Sequence, residues 1–286
     1  MLLVPSPASM GSRTRRKRWI ICNPFASNAC CTETGRSSIR VMGTTSFRDS
    51  ILLVGASGRT GRCVLRYLCA ASVPVIACVR CADRLASEPS LASAEVVLAN
   101  VEQPHTLAPL IERAAHVIYL AGGDRRGLSP GAWQLEIDSL SDCLELAKRA
   151  GLPGRWISVG YSGSDQRTAV TWAETRWREL KHAADDVIAA SGVNYFVLRT
   201  GLIAAPISTE PRVSVAQDSA AADAQLPCNA LAFLLTGAAL AGATNRSCAT
   251  VRLDPNGLKL QSAVQAFARL RQDGPILSTT SMTRRA

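Results

Sequence analysis

The sequence predicts an α/β fold: a single domain built on a doubly wound parallel sheet with helices on both faces. Three observations predict it. From residue 51 onward, short apolar runs alternate with longer amphipathic stretches, the pattern of consecutive strand–helix–strand units. The short runs are rich in Val, Ile and Leu, as strands covered on both faces require. The 286 residues are 47% hydrophobic, 19% charged and only 5% aromatic, which is enough apolar material for one large core.

Residues 51–54 read as the first buried strand, 55–61 as a glycine-rich turn and 62–71 as a helix. A second strand follows over 73–79 and a third over 96–98, then a helix over 107–115 and a fourth strand over 116–120. Residues 133–150 read as one long helix, because Leu135, Leu140, Leu144 and Ala147 fall near helical spacing. Gly151 is placed to cap its end. A fifth strand is expected over 155–159, a long helix over 171–190 and a sixth strand over 195–198. Residues 226–243 form the most apolar stretch, but it is shorter than a bilayer span and holds Pro227 and Asn229. It therefore predicts a buried helix, and no transmembrane segment is expected. Residues 271–286 read as a polar, frayed tail.

Residues 1–46 stand apart from the domain, which is expected over 47–270. They are rich in Ser, Thr and Arg and nearly free of acids. That is the composition of an organelle transit peptide, for a chloroplast or a mitochondrion, or of a disordered basic arm. The net charge is +10, and within residues 1–50 eight basic residues face only Glu33 and Asp49. The remaining positive charge has no aromatic interleaving, so no nucleic-acid partner is expected. The ten cysteines lie mostly in apolar runs, where cysteine acts as a small buried hydrophobe. A chain of this size needs no disulfide framework.

The strongest motif is Gly55-Ala56-Ser57-Gly58-Arg59-Thr60-Gly61. It follows a strand and opens a helix, the context in which such a turn binds a nucleotide. Glycines let a pyrophosphate approach the backbone, and the helix N-terminus offers free N–H groups and partial positive charge. At the end of the second strand stand Arg80 and Arg84. An acid there would favour NAD(H), whereas guanidinium groups suit a 2′-phosphate. NADP(H) is therefore the expected cofactor, ahead of NAD(H).

The Gly-x-x-Gly-x-x-Gly spacing and the segment Val79-Arg80-Cys81-Ala82-Asp83-Arg84-Leu85 resemble the atypical short-chain dehydrogenase/reductases. This Rossmann-type group includes NmrA-like regulators, the biliverdin/flavin reductase type and organelle assembly factors. The resemblance covers about residues 50–240. It implies that Asn100 and Val101 lie beside the adenine and that Ala121 and Gly122 let the cofactor lie flat. Ser191-Gly192-Val193-Asn194-Tyr195 and Leu198-Arg199-Thr200-Gly201 match a segment near the nicotinamide, with Thr200 in place of a proline.

In active members a Tyr and, four residues later, a Lys serve catalysis, with a Ser at the end of the fifth strand. Here Lys181 keeps the spacing to Ser191, but the Tyr position is Trp177 and the Ser positions are Gly160 and Tyr161. Indole cannot act as a titrating acid. The resemblance leaves Lys181 as a ribose-binding residue and lets Tyr161, Ser162 or His182 stand as proton donors. Three readings remain open. One is a reductase of a flavin-, quinone- or tetrapyrrole-like acceptor that takes hydride without this Tyr. Another is a non-catalytic NADP(H)-binding redox sensor or assembly factor with a protein partner. The third is a thiol sensor using Cys78 and Cys81, although a strand end lacks the helix N-terminus that activates such thiols. No second ligand pair completes a zinc site. Gly160-Tyr161-Ser162-Gly163 is not a hydrolase elbow.

Overall fold

Strand β1 (Ser50–Val54) opens the fold, and the elements then follow in the expected alternation. The computed structural model describes residues 50–85, 88, 93–122, 130–163, 171–217, 225–241 and 246–270. The expectations for residues 1–46 and 271–286 lie outside these. Helix α1 (Arg59–Ala70) leads to β2 (Val75–Val79) and β3 (Ala94–Leu98), then to α2 (Ala108–Glu112) and β4 (Ala114–Tyr119). The second half of the unit comprises α3 (Pro130–Trp133), α4 (Ser139–Arg149), β5 (Trp156–Tyr161), α5 (Trp172–Ala190) and β6 (Tyr195–Thr200). After it come β7 (Ile203–Ala204), β8 (Arg212–Ala216), β9 (Leu226–Pro227), α6 (Cys228–Leu240), β10 (Ser247–Leu253), β11 (Leu258–Lys259) and α7 (Leu260–Phe267).

The main sheet has the order β11-β8-β10-β6-β5-β4-β1-β2-β3. Strands β3 to β6 and β10 are joined by parallel pairings, while β8 runs antiparallel to β10 and β11 antiparallel to β8. The chain moves outward from β1 in one direction to β2 and β3, and in the other to β4. This is a topological switch point, and the crevice beyond the carboxyl ends of β1 and β4 is where such sheets bind ligands.

Two cores flank the sheet. On one face Tyr67, Phe233 and Phe267 from α1, α6 and α7 pack over Leu53, Phe196 and Leu198. On the other, Leu110, Cys143, Leu144 and Ile188 from α2, α4 and α5 pack over Leu52, Tyr119, Trp156 and Val197. Burial on both faces explains why β2 is apolar throughout. Each such Leu, Phe or Ile withdrawn from water contributes about 1.5–3 kcal/mol.

Two departures from the sequence reading have local causes. The single helix expected over 133–150 is interrupted by a π-helical turn, Gln134–Asp138. The five-residue step from Leu135 to Leu140 spans this turn, as its i→i+5 bonding requires, but was read as helical spacing. The strands β8, β10 and β11 were not expected. They carry Arg212, Arg252 and Lys259 on exposed positions, so they lack the continuous apolar runs of the inner strands. Gly151 does cap α4: its φ is +60°, and Leu152 N–H donates to the Ala147 carbonyl at 3.0 Å. No helix among the described residues is long and apolar enough to cross a membrane.

Candidate nucleotide site

The glycine turn is shaped by what surrounds it. Gly55 has φ +82°, and a Cβ there would lie 2.9 Å from the Leu120 carbonyl carbon. Only glycine lets the end of β1 press against the end of β4. Gly58 N–H donates to the Gly55 carbonyl at 3.0 Å. A side chain at Gly61 would collide with Gly55 O and the Ala56 backbone, so α1 packs directly onto the turn. Arg62 Nε donates to Ser57 O at 3.1 Å and braces it from outside. No side chain caps α1, and its first turn holds no acid. Its leading N–H groups therefore suit a phosphate.

Beside the turn lies a cavity of about 380 Å³ at the carboxyl edge of the sheet. The structure brings Arg59, Thr60, Ala121, Gly122, Tyr161, Lys181 and Thr200 to its wall. Arg59 also reaches across to donate to Ile203 O at 3.0 Å. Arg80 and Arg84 are exposed beyond the end of β2, which is tied to the turn by Ala56 N–H donating to Cys78 O at 3.3 Å. Asn100 and Val101 follow β3 on the same edge, outside the cavity wall. The Asn100 Oδ1 accepts from Glu102 N–H at 3.2 Å, and its own N–H donates to Thr106 Oγ1 at 3.0 Å. Asn100 therefore already holds a tight turn. Val101 is buried.

Lys181 and Trp177 stand one helical turn apart on α5 and face the cavity together. The Lys181 Nζ lies 4.8 Å from the Trp177 ring centroid and 2.7 Å from Glu136 Oε2. Glu136 went unnoticed in the sequence because its inward aim comes from the π-helical turn. It is 5% exposed and crowds Gly122, where a Cβ would lie 2.7 Å from Glu136 Oε1.

At Gly160, one of the two positions where the resemblance leads one to expect a serine, there is no room for a side chain. A Cβ on Gly160 would lie 2.9 Å from Arg199 Cγ and 3.0 Å from Asp185 Oδ1. Asp185 accepts from Arg199 Nε at 2.8 Å in an ion pair beneath the cavity floor. Burial pushes the Asp185 carboxyl up, and the Arg199 charge opposes that shift. Two residues earlier on the same strand face, Ser158 lines the cavity. Its buried hydroxyl has no hydrogen-bond partner among the described residues. Ser158 too was absent from the sequence reading, since an apolar strand gives no sign of which serine faces a pocket.

Of the three proton donors considered, Tyr161 reaches the cavity wall and Ser162 and His182 do not. Ser162 is buried, and His182 lies on an exposed helix face 3.8 Å from Asp186. Cys78 is a core residue whose thiol burial pushes up to about 11, the opposite of what an attacking thiolate requires. Cys81 is exposed, with its sulfur 3.9 Å from Asp83 Oδ2.

Comparison with known proteins agrees with this geometry. Residues 55–238 match the model of a family described as NAD(P)H-binding. The uncharacterized sugar epimerase YhfK of Bacillus subtilis is 29% identical over 153 residues, covering 53% of this chain and 71% of that protein. Among solved structures, the anaerobilin reductase ChuY of Escherichia coli O157:H7 superposes with a TM-score of 0.57 at 21% identity, covering 71% of this chain and 96% of that one. A short-chain dehydrogenase/reductase of Veillonella parvula in complex with NADP gives a TM-score of 0.57 at 15% identity, covering 74% and 97%. At such identities these structures show the shared Rossmann-type fold.

Proposed function

The chain belongs to this NAD(P)H-binding family, and from that premise we propose that it is an NADP(H)-dependent reductase of a planar, conjugated acceptor such as a flavin, quinone or tetrapyrrole. The observation that carries the proposal is the cavity beside the glycine turn, lined by Lys181 and Trp177 where the related reductases pair Lys with Tyr. A conjugated acceptor spreads the charge it gains and does not depend on a tyrosine acid at one carbonyl. When bound, the cofactor supplies the hydride.

The chain's own residues would do the rest. The α1 N-terminus and the glycine turn would hold the pyrophosphate. Arg80 and Arg84 would receive the 2′-phosphate, and NADP lies bound in the related Veillonella structure. Lys181, oriented by Glu136, would hold ribose hydroxyls. Trp177 would present an indole face to a flat ring. Tyr161, on the cavity wall, would deliver a proton.

A second reading has its own support. Glu136 neutralises Lys181, and Gly160 leaves no hydroxyl over the Asp185–Arg199 pair. Both fit a protein that binds NADP(H) without turning it over, as a redox sensor or assembly factor.

One titration separates these readings. NADPH and NADH are added to the full chain while nucleotide fluorescence is followed, and then a flavin, a quinone and biliverdin. Binding of NADPH followed by its oxidation supports the reductase. Binding without oxidation by any acceptor supports the sensor. Arg80→Glu should weaken NADPH binding far more than NADH binding. Equal losses would remove the 2′-phosphate role.

A further inference from the structure

Behind the glycine turn, two cysteines that the proposed chemistry does not use meet across the fold. Cys63 lies in the second turn of α1 and Cys228 is the first residue of α6. They are 165 residues apart in sequence, yet their sulfurs are 3.3 Å apart. Both are free thiols and both are buried. The Cys228 sulfur also lies 3.6 Å from Arg59 O and 3.9 Å from Thr60 Oγ1. Arg59 and Thr60 belong to the glycine turn and line the cavity. The sulfur pair therefore touches the segment that would hold the pyrophosphate.

We propose that Cys63 and Cys228 are a modification site: a hydroperoxide converts them to a reversible disulfide, and that bond weakens dinucleotide binding at the adjoining turn. The affinity half of this proposal rests on the cofactor reading above; the bond itself does not.

The chemistry balances without any other reactant. The Cys63 thiolate attacks one peroxide oxygen, the O–O bond breaks, and hydroxide leaves to take a proton and become water. Cys63 is then a sulfenic acid. The Cys228 sulfur attacks it, the new S–S bond forms, and the sulfenic oxygen leaves as a second water with the Cys228 proton. Two thiols lose two electrons and the peroxide gains them.

The pair is set apart from the other described cysteines. The hydrogen bond from Cys228, helped by the nearby Arg66 and Arg59 charges, brings the Cys63 thiol down to about 7 against the opposing effects of burial and Glu88. Thiolate is thus available near neutral pH. Burial instead pushes Cys78 up to about 11 and Cys143 up to about 12. Hydrogen peroxide is also small enough to reach a sulfur on a residue that is 7% exposed.

Closing the contact to a bond of about 2.05 Å requires a shift on the order of an ångström. Helix α1 has little slack to absorb it, because Gly61 already packs against Gly55 O and the Ala56 backbone. The pull is therefore passed into the turn. Thr60 at the same time loses its contact with the Cys228 thiol.

The test uses the full chain, fully reduced and then treated with hydrogen peroxide. Unreacted thiols are blocked, the protein is digested, and cross-linked peptides are mapped. NADPH affinity is measured before oxidation, after it, and after dithiothreitol. We expect a peptide pair joined through Cys63 and Cys228, a rise in the NADPH Kd of about tenfold, typical of coupling between adjoining sites, and recovery on reduction. Cys63→Ala, with Cys63→Ser as a second replacement, should show neither the link nor the affinity change. Absence of the link in oxidised wild-type protein overturns the proposal. A link with unchanged affinity overturns its regulatory half. Absence of NADPH binding to the reduced protein overturns the cofactor reading and the affinity half with it, while the peptide map still decides the bond.

Discussion

The family resemblance sets Gly160 and Tyr161 where a serine is expected, and the neighbours of Gly160 leave no room for one. The Arg199 stem and the Asp185 carboxylate fill the space a side chain would need. Restoring the serine should therefore harm the fold before it helps catalysis. Gly160→Ser is expected to cost about 1–3 kcal/mol through overpacking, read as a lowered midpoint in thermal unfolding. An unchanged midpoint would show that the ion pair yields easily and that the missing serine has another cause. The residue scale is also where the sequence was least legible. Lys181, Trp177 and Gly160 were singled out by the family resemblance, and all three line the cavity. Glu136 and Ser158 were not, because nothing local in the sequence distinguishes an inward-facing acid or serine from its neighbours.

Helix α5 was expected over 171–190 and spans Trp172–Ala190, but the motif that starts it was not part of that expectation. Thr171-Trp172-Ala173-Glu174 has the spacing of a capping box. The structure shows half of it: Thr171 Oγ1 accepts from Glu174 N–H at 3.2 Å. The Glu174 carboxylate turns instead to Arg178. Thr171→Ala should cost about 1 kcal/mol, seen as a shifted urea midpoint. NADPH affinity should hold, because Thr171 lies outside the cavity wall. A midpoint equal to wild type would mean the cap adds nothing to α5. Helix α4 teaches the opposite lesson. Its apolar spacing was legible and its cap was correct, yet the five-residue step Leu135–Leu140 that marks the π-helical turn was taken for ordinary helical spacing. The inner strands were legible because both faces are covered. Strands β8, β10 and β11 were not, because polar residues interrupt their apolar runs: Arg212, Ser214 and Lys259 on the two outer strands, and Ser247, Thr250 and Arg252 on β10, which is largely buried between β6 and β8.

At the scale of the whole molecule, stability should depend on pH through a histidine far from the cavity. His116 Nδ1 accepts the Arg155 N–H at 3.0 Å, a bond that only the unprotonated nitrogen can accept. Burial, with the Arg155 charge adding to it, lowers His116 to about 4. The unfolded chain regains the ordinary value of about 6.5. Between those values the unfolded state binds the extra proton, so stability is full above pH 6.5 and falls as the pH drops towards 4. The loss is on the order of 3 kcal/mol. Urea unfolding at pH 7 and pH 4.5 should show this decline, and His116→Gln should flatten it. Equal slopes in the two proteins would assign the acid sensitivity elsewhere.

The same sheet order that creates the crevice also gives the molecule two unlike ends. All strands from β3 to β6 point the same way, and Ser50 begins β1, which lies between β4 and β2. The amino end of β1 therefore lies at the pole opposite the nucleotide crevice. A chain begun at Ser50 and anchored there would be held by the pole opposite its binding pocket.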